Sequence, residues 1–385
     1  MNRPLLKLSR YLLLLSMLAV LTPAAAEVTL QATPDNGLQP LLMNDADGHV
    51  HLLYFKKRLE RRGAREGSLF YRQYDPDSGS FGQPVRVSSS AFNLQTFAIA
   101  RAGMSVGGDG RIHVIWYLSR EGKYFYARSN PERTAFEEQR DMVSTNALGI
   151  DAGANVAAGG PMVAILWGAG DLSREHERTV FTRMSTDFGA TFGPELAIGN
   201  PDLGACACCS LAGAFDDSED LVVAYRSAID GIGRHMQLLT VKQDGGVPVN
   251  ASYGPVDALQ QWELSACPLS TNSIQGNSDS ARWLVFETEA RIVLLSLNGS
   301  HQIRRVAEPF TETRQKNPTV AINSRGEKLI AWGEAISHAR GGRLNWRLLD
   351  EDGNEQGAMT TELEIPEFSF PAAATLPDGN FLLLY

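Results

Sequence analysis

Four cysteines are the residues of this 385-residue chain whose spacing is most suggestive of chemistry. Three form the run Cys206-Ala207-Cys208-Cys209, and Cys267 lies farther along the chain. In an exported protein an even number of cysteines first suggests disulfides. A bridge between the adjacent Cys208 and Cys209 is strained, so we expect Cys267 to pair with one cysteine of the run and a short bridge to close within it. The alternatives are a thiolate site for a soft metal, Cu(I) or Zn, and free thiols.

A second group of polar residues lies at or just past the ends of apolar, strand-like runs. Its members are Tyr225, Arg226, Glu263 and Glu334. Charged residues in such places often project from one face of a repeat array, where ligands bind, but ordinary loop charges follow the same pattern. Arg226 is the best single candidate because it directly follows an aromatic of the buried type. Spacing alone assigns no pair of nucleophile and base, so the catalytic residues stay unassigned.

The elements that must position these residues come from a phrase that the chain repeats seven times. Residues 40–54 and 106–116 are clear copies: two short apolar runs surround an Asp-Gly turn, and the second run ends in an aromatic. The seven closing aromatics are 46 to 62 residues apart, at Tyr54, Trp116, Trp167, Tyr225, Phe286, Trp332 and Tyr385. Each phrase predicts a β-hairpin, and the period predicts an array of similar units.

A second pair of short runs follows most phrases, so each repeat offers about four antiparallel strands. Such a unit is the blade of a β-propeller, in which radial repetition hides the sheet edges. We expect an all-β protein with seven blades, or six if the looser phrase ending at Phe286 is not a blade. The last phrase has no outer hairpin, and residues 28–31 could supply its outer strand and close the ring. No helix of useful length is predicted.

The first 26 residues are typical of a secretory signal. Three basic residues precede an apolar stretch of 11 residues, and Ala24-Ala25-Ala26 forms a small-residue cleavage site. The apolar stretch is too short to span a bilayer. We therefore predict an exported protein, periplasmic or extracellular, with a single domain over residues 27–385 and no membrane span after cleavage.

Charge excludes one class of partner. Removal of the three basic residues with the signal changes the formal net charge from −9 to −12. Phosphate binding needs a positive field, so this balance argues against nucleic acid.

Residues 185–192, after the third outer strand, read Ser-Thr-Asp-Phe-Gly-Ala-Thr-Phe. They match the Asp-box, Ser-x-Asp-x-Gly-x-Thr-aromatic, and degraded copies lie in the same phase at 75–81 and 129–136. The chain thus resembles the sialidase-like (BNR/Asp-box repeat) β-propeller superfamily over most of its mature length. In that family the boxes lie on the periphery, where Asp accepts turn amides and Gly permits a positive φ. The resemblance implies a structural role for Ser185, Asp187, Gly189, Thr191 and Phe192.

The same resemblance bears on activity. Sialidases of this family hold the substrate carboxylate with three arginines and use a Tyr nucleophile, a Glu and an Asp. The first arginine opens the first blade in an Arg-Ile-Pro phrase, whereas this chain has Leu38-Gln39-Pro40. Gln39 cannot replace the missing charge, which argues against hydrolysis of sialic acid and leaves enzymatic activity open.

The sequence therefore favours an exported, monomeric propeller that acts as a binding or interaction module. Its ligand would be a carbohydrate or an extracytoplasmic protein, bound at the mouth of the central funnel. The alternatives are a divergent exo-sialidase or other glycoside hydrolase, and metal handling through the cysteine run. No cofactor is expected beyond Cu(I) or Zn at that run.

Overall fold

The structure is a computed structural model that describes residues 25–61, 63–148, 153–244, 247–253, 261–276, 282–297, 303–306, 313–335 and 342–385. All but the last two residues of the predicted signal, 1–26, lie outside the described residues. Within the described ranges, no helix combines the length and the apolar character needed to cross a membrane.

Seven sheets account for the strands of the described residues. The first holds β2 (Leu38–Asn44), β3 (Val50–Lys57), β4 (Glu66–Asp75), β5 (Ser80–Phe81), β6 (Val85–Arg86) and β7 (Phe92–Asn93). The second holds β8 (Gly103–Val106), β9 (Ile112–Leu118), β10 (Lys123–Arg128) and β11 (Arg140–Asp141). The third holds β12 (Asn155–Gly159), β13 (Met162–Ala169), β14 (Thr179–Ser185) and β15 (Leu196–Ala197). The fourth holds β16 (Ala212–Phe215), β17 (Leu221–Arg226), β18 (Met236–Asp244) and β19 (Val247–Tyr253).

The remaining three sheets complete the count. The fifth holds β20 (Asn272–Gly276), β21 (Arg282–Thr288), β22 (Arg291–Ser296) and β23 (Ile303–Arg305). The sixth holds β24 (Arg314–Ile322), β25 (Lys328–Ala335), β26 (Gly342–Leu349) and β27 (Glu355–Ile365). The last holds β28 (Ala372–Thr375), β29 (Phe381–Leu384) and β1 (Val28–Gln31). Short 3-10 helices occur at Pro34–Asn36, Ala98–Ala100 and Leu172–Glu177.

These sheets are the blades of a seven-bladed propeller. The innermost strands β2, β8, β12, β16, β20, β24 and β28 each contact the next around a closed ring. The fifth blade is present, with Phe286 buried on β21, so the seven-blade prediction is confirmed and the six-blade alternative is not.

The predicted ring closure is also confirmed. Strand β1 pairs with β29, with Val28 opposite Phe381. This pairing is parallel, unlike the other pairings of the described strands. No hairpin joins these two strands, so no turn dictates their relative direction. The backbone N–H of Thr33 donates to the carbonyl of Tyr385 at 3.0 Å and extends the seam.

The repeated aromatics explain why the phrase recurs. Tyr54, Trp116, Trp167, Tyr225, Phe286 and Trp332 are all buried on the second strand of their blades. Second strands are covered by a blade on either side, so they are apolar on both faces; every residue of β9 is buried. Apolar burial of this extent is the main favourable term in folding. The aromatics therefore belong to the interfaces between blades.

Each blade has the same two ends, because its strands are built from the same repeat. We call the end where the innermost strands begin the upper mouth, and the end with the turns between first and second strands the lower mouth. Residues that precede different innermost strands meet at the upper mouth: the N–H of Gly153 donates to Ile99, and that of Ser210 to Ser270. At the lower mouth the N–H of Gly108 donates to Gly160.

Candidate functional site at the upper mouth

A cavity of about 530 Å³ runs along the propeller axis and is lined by all seven innermost strands. Its volume is in the range of small-ligand pockets. At the upper mouth its wall includes Ile99, Arg101, Ser210 and Asn272. Its lining carboxylates all belong to lower-mouth turns, and they are Asp45, Asp47, Asp216, Asp217 and Glu219. The two ends of one cavity therefore carry opposite charges.

The acids of the lower mouth are engaged in closing turns. Asp45 accepts the N–H groups of Asp47 and His49, at 3.0 and 2.8 Å. Asp216 accepts those of Ser218 and Asp220, at 2.8 and 2.9 Å. Side chains that accept turn amides in this way define Asx turns.

Arg101 is the cation of the upper mouth, and sequence reasoning missed it. Its guanidinium lies 5.1 Å from the ring centroid of Phe370 and donates to the carbonyl of Asn272 at 3.3 Å. Burial lowers the pKa of Arg101 to about 10. No carboxylate of the described residues lies within ion-pair distance of it. The search for polar residues at the ends of second strands overlooked it, because Arg101 lies just before an innermost strand.

The loops that contain the cysteines form the side of the upper mouth between the fourth and fifth blades. A bridge between Cys267 and the run, as the sequence predicted, would require these two loops to meet, and they do. Asn272 donates through its N–H to Ser210 Oγ at 3.1 Å and through its side chain to the carbonyl of Ser210 at 3.0 Å. The N–H of Cys206 donates to the carbonyl of Arg226 at 2.8 Å.

Three cysteine sulfurs meet in this loop. The Sγ of Cys206 lies 3.2 Å from that of Cys209 and 3.6 Å from that of Cys208, and all three side chains are buried. A disulfide requires a separation of about 2.05 Å. Cys267 is exposed, and all four cysteines are free thiols. The two disulfides favoured by the sequence are therefore not formed in the structure, because Cys267 stays outside the buried cluster.

Two guanidinium groups adjoin the sulfurs and shape their protonation. Burial alone would raise the pKa of Cys209, but hydrogen bonds with Cys206 and Cys208 and the charge of Arg226 hold it well below its usual value. Hydrogen bonds with Cys206 and Cys209 raise the pKa of Cys208. Arg234 interacts electrostatically with the sulfurs from a second direction and pairs with Glu175 at 2.7 Å.

The sequence offered Arg226 as a candidate for the central funnel, but the structure buries it beside the cysteine cluster and outside the cavity lining. It is 2 % exposed and donates to the carbonyls of Arg234 and Glu287 and to Ser270 Oγ. Its guanidinium carbon lies 5.0 Å from the ring centroid of Trp262. In the described part of the chain no carboxylate forms an ion pair with it. It is a buried positive charge held by neutral acceptors.

A buried ion pair completes the upper mouth. Lys316 Nζ lies 2.8 Å from the carboxylate of Glu287 and donates to the carbonyl of Pro268 at 2.9 Å. The side chains of Lys316 and Glu287 are 3 % and 2 % exposed. Burial raises the pKa of Glu287, while Lys316 opposes that shift. Sequence reasoning missed this pair because Glu287 sits within a strand and Lys316 within another, 29 residues apart.

Comparison with known proteins concerns the fold. No protein-family description and no curated protein matches the sequence. The structure is similar to α-L-arabinanase of Penicillium chrysogenum complexed with arabinobiose, with a TM-score of 0.52 and 9 % identity over 86 % of this chain and 99 % of that chain. The two proteins share the β-propeller fold. A fucose-specific lectin from Aleuria aurantia gives 0.49 at 9 % identity, covering 86 % and 96 %, and the Hadza microbial sialidase Hz136 gives 0.48 at 10 %, covering 80 % and 69 %.

Gln39 lies at the upper mouth, where its contacts are structural. Its N–H donates to Ser369 Oγ at 3.0 Å and its side-chain amide to the carbonyl of Gln95 at 2.7 Å. These contacts tie the first blade to the last and to the loop after β7. The backbone N–H and the side-chain amide of Gln39 therefore both donate hydrogen bonds within the protein.

The other predicted candidates do not converge on the axis of the propeller. Tyr225 is buried in the cluster between the third and fourth blades. Glu263 is exposed. Glu334 is buried and accepts from Trp332 Nε1 at 3.4 Å and from Thr313 Oγ1 at 3.3 Å. The structure therefore brings Arg226 to the cysteine cluster but leaves these three apart from the cavity lining.

The Asp-box lies between β14 and β15, at the end of the blade away from the upper mouth. Asp187 accepts from Ser185 Oγ at 2.7 Å, from the N–H of Thr191 at 2.8 Å and from Thr191 Oγ1 at 2.7 Å. Gly189 has a φ of 74°, and the ring of Phe192 packs edge-on against Tyr126. Although burial opposes it, these hydrogen bonds lower the pKa of Asp187 to about 2.

Proposed function

We propose that this protein is an exported, monomeric, non-hydrolytic binding module that holds an acidic carbohydrate in the upper part of the axial cavity. The observation that carries the proposal is the charge arrangement of that cavity. Its upper wall has the guanidinium of Arg101, which has no carboxylate partner among the described residues, and its lining acids lie at the other end. A guanidinium suits a carboxylate because it offers a planar pair of donors.

The carbohydrate class is supported by fold and cavity together. The arabinanase that shares this fold is complexed with arabinobiose. Asn272 and Ser210 add polar groups beside Arg101, and Ile99 and Leu211 add apolar surface to the same lining. Polar groups beside an apolar surface are typical of small-ligand sites. A sugar that carries a carboxylate would use all of them.

The carboxylates near the upper mouth support a non-hydrolytic role. Glycoside hydrolysis uses two carboxylates about 5 to 10 Å apart with the substrate between them. Among the described residues, Glu287 is held by Lys316 and Glu175 by Arg234. Neither lines the cavity. A divergent sialidase would further need an exposed nucleophile, whereas Tyr225 is buried between blades.

Calorimetric titration with a matched panel of sugars tests the proposal. We expect binding of N-acetylneuraminic acid and glucuronic acid, weaker binding of their methyl esters, and none of neutral arabinobiose at the same concentration. Fluorogenic sialosides and arabinosides should release no product beyond the buffer rate. Equal binding of esters and acids would contradict the role of charge, and turnover would contradict the binding role.

A further inference from the structure

The three buried cysteines of the upper mouth lie on a loop whose backbone is held in place by hydrogen bonds. Their loop is fixed at three points: the N–H of Cys206 on the carbonyl of Arg226 at 2.8 Å, that of Ala207 on Glu175 Oε1 at 2.7 Å, and that of Ser210 on the carbonyl of Ser270 at 3.0 Å. The three sulfur atoms all lie within 4.8 Å of one another.

The sulfur spacing fits a single metal ion. Three thiolates around one ion, each at about 2.3 Å, lie about 4 Å apart. The observed contacts of 3.2 and 3.6 Å are shorter by less than 1 Å. Small side-chain rotations therefore suffice to place all three sulfurs in a coordination shell, with no change in the backbone of the loop.

The surrounding charge is the second, independent observation. Arg226 is 2 % exposed and has only neutral hydrogen-bond acceptors among the described residues. The Nε atoms of Arg226 and Arg234 are buried and have no hydrogen-bond partner there. Arg234 is paired with Glu175 at 2.7 Å, whereas Arg226 has no ion-pair partner among the described residues. A buried charge without a counterion is unfavourable. Thiolates that carry a metal would supply the missing negative charge.

The number of ligands that the site offers indicates which metal it would bind. No histidine, carboxylate or further cysteine of the described residues joins the three sulfurs within ligand distance. Zn²⁺ in proteins takes four ligands, with water as the fourth where the protein gives three. Here the sulfurs are buried and Ile99 and Leu269 pack against them, which leaves little room for a water ligand. Thiolates bind both Cu(I) and Zn²⁺, and a three-sulfur site without a water position favours Cu(I), which accepts three ligands.

We propose that Cys206, Cys208 and Cys209 form a Cu(I)-thiolate site, with Arg226 as its counterion. A catalytic dithiol is the competing use of such a run, but reactive cysteines are partly exposed. These three sulfurs are buried, and Cys206 is the most accessible at 7 %. The sulfurs themselves do not line the axial cavity, although their neighbours Ile99 and Ser210 do, so Cu(I) binding is measured without sugar.

Anaerobic titration of the reduced full-length protein with Cu(I), in competition with bicinchoninate, tests the site. We expect about one Cu(I) per chain, with X-ray absorption showing about three sulfur neighbours at about 2.3 Å. Cys208→Ser and Cys209→Ala should each abolish competition with the chelator. Cys267→Ser, which removes an exposed thiol outside the cluster, should bind like the wild type.

Three results would overturn the site. One is loss of Cu(I) binding in Cys267→Ser with retention in both cluster variants. Another is a fourth, nitrogen ligand in the X-ray absorption spectrum together with equal retention of Zn²⁺. The third is a disulfide between cluster cysteines in protein purified from the periplasm and denatured without reductant, found by thiol titration. Circular dichroism of each variant separates loss of metal from loss of fold, and Cys206→Ala provides a second cluster variant if one fails to fold.

Discussion

The two mouths of the axial cavity are made by the same repeat but hold their charges differently. At the lower mouth, one carboxylate oxygen of Asp45 and one of Asp216 accept turn amides, and the other oxygen of Asp45 contacts two histidine rings. At the upper mouth, Arg101 and Arg226 have no carboxylate partner among the described residues, and three thiols lie in contact. Because a buried cation without a counterion is unfavourable, we infer that Arg226 has an anionic partner when the site is occupied. We therefore propose a structural role for the lower mouth and a binding role for the upper one.

The largest expected effect is a loss of stability at the upper mouth. Replacement of Glu287 by Ala should leave Lys316 as a buried charge without its partner. We expect the free energy of unfolding, measured by urea denaturation, to fall by about 3–5 kcal/mol. The double variant Glu287→Leu/Lys316→Met should recover most of the loss. A change below about 1 kcal/mol in Glu287→Ala would mean that the pair is solvated.

The next effect concerns a repeated feature near the lower mouth. Both His51 and His113 are buried and hydrogen-bonded to a tyrosine of the neighbouring strand, Tyr71 at 2.8 Å and Tyr126 at 2.7 Å. Burial lowers the pKa of His113 to about 4, below its usual 6.5. The unfolded chain therefore binds a proton first, and stability should fall as the pH decreases from 6.5 to about 4.

The loss attributable to His113 should be on the order of 2–3 kcal/mol between pH 7 and pH 4. Urea midpoints across this range measure it, with His113→Gln as the comparison. The variant should show a flatter pH profile than the wild type. An unchanged slope would show that His113 is not the group that titrates.

A smaller effect is expected at the Asp-box. Asp187→Ala removes the acceptor of two turn N–H or O–H groups of Thr191 and should lower the free energy of unfolding by about 1–2 kcal/mol. Since the pKa of Asp187 is lowered to about 2, its contribution is present above pH 3.8 and is lost as the pH falls towards 2. Sugar and Cu(I) binding should be unaffected. Loss of sugar binding or of Cu(I) binding in Asp187→Ala would show that the two ends of the propeller are not functionally distinct.

The fold was predictable from the sequence because it repeats. Seven aromatics at similar spacing predicted seven blades, and seven blades are present. The meeting of the two cysteine loops followed from the adjacency of their blades. A recurring position has recurring surroundings, so its environment can be inferred.

The site was only partly predictable because its residues do not recur. Arg226 was identified from its place after a strand, but its burial against neutral acceptors was not. Arg101 and the Lys316–Glu287 pair belong to single blades, so no other repeat signals them. The free thiols depend on Cys267 lying outside the cluster, which the one-dimensional spacing of cysteines does not specify.

The two arginines that line the cavity give the most direct test of the comparison. Arg101 lies at the upper mouth and Arg133 at the lower one, where it donates to the carbonyl of Gly110 at 3.3 Å. Calorimetric titration of N-acetylneuraminic acid into Arg101→Ala and Arg133→Ala compares equal changes at opposite ends. We predict that Arg101→Ala weakens binding about tenfold, or ~1.4 kcal/mol, and that Arg133→Ala matches the wild type. Equal weakening by both variants, or by Arg133→Ala alone, would contradict the assignment of binding to the upper mouth.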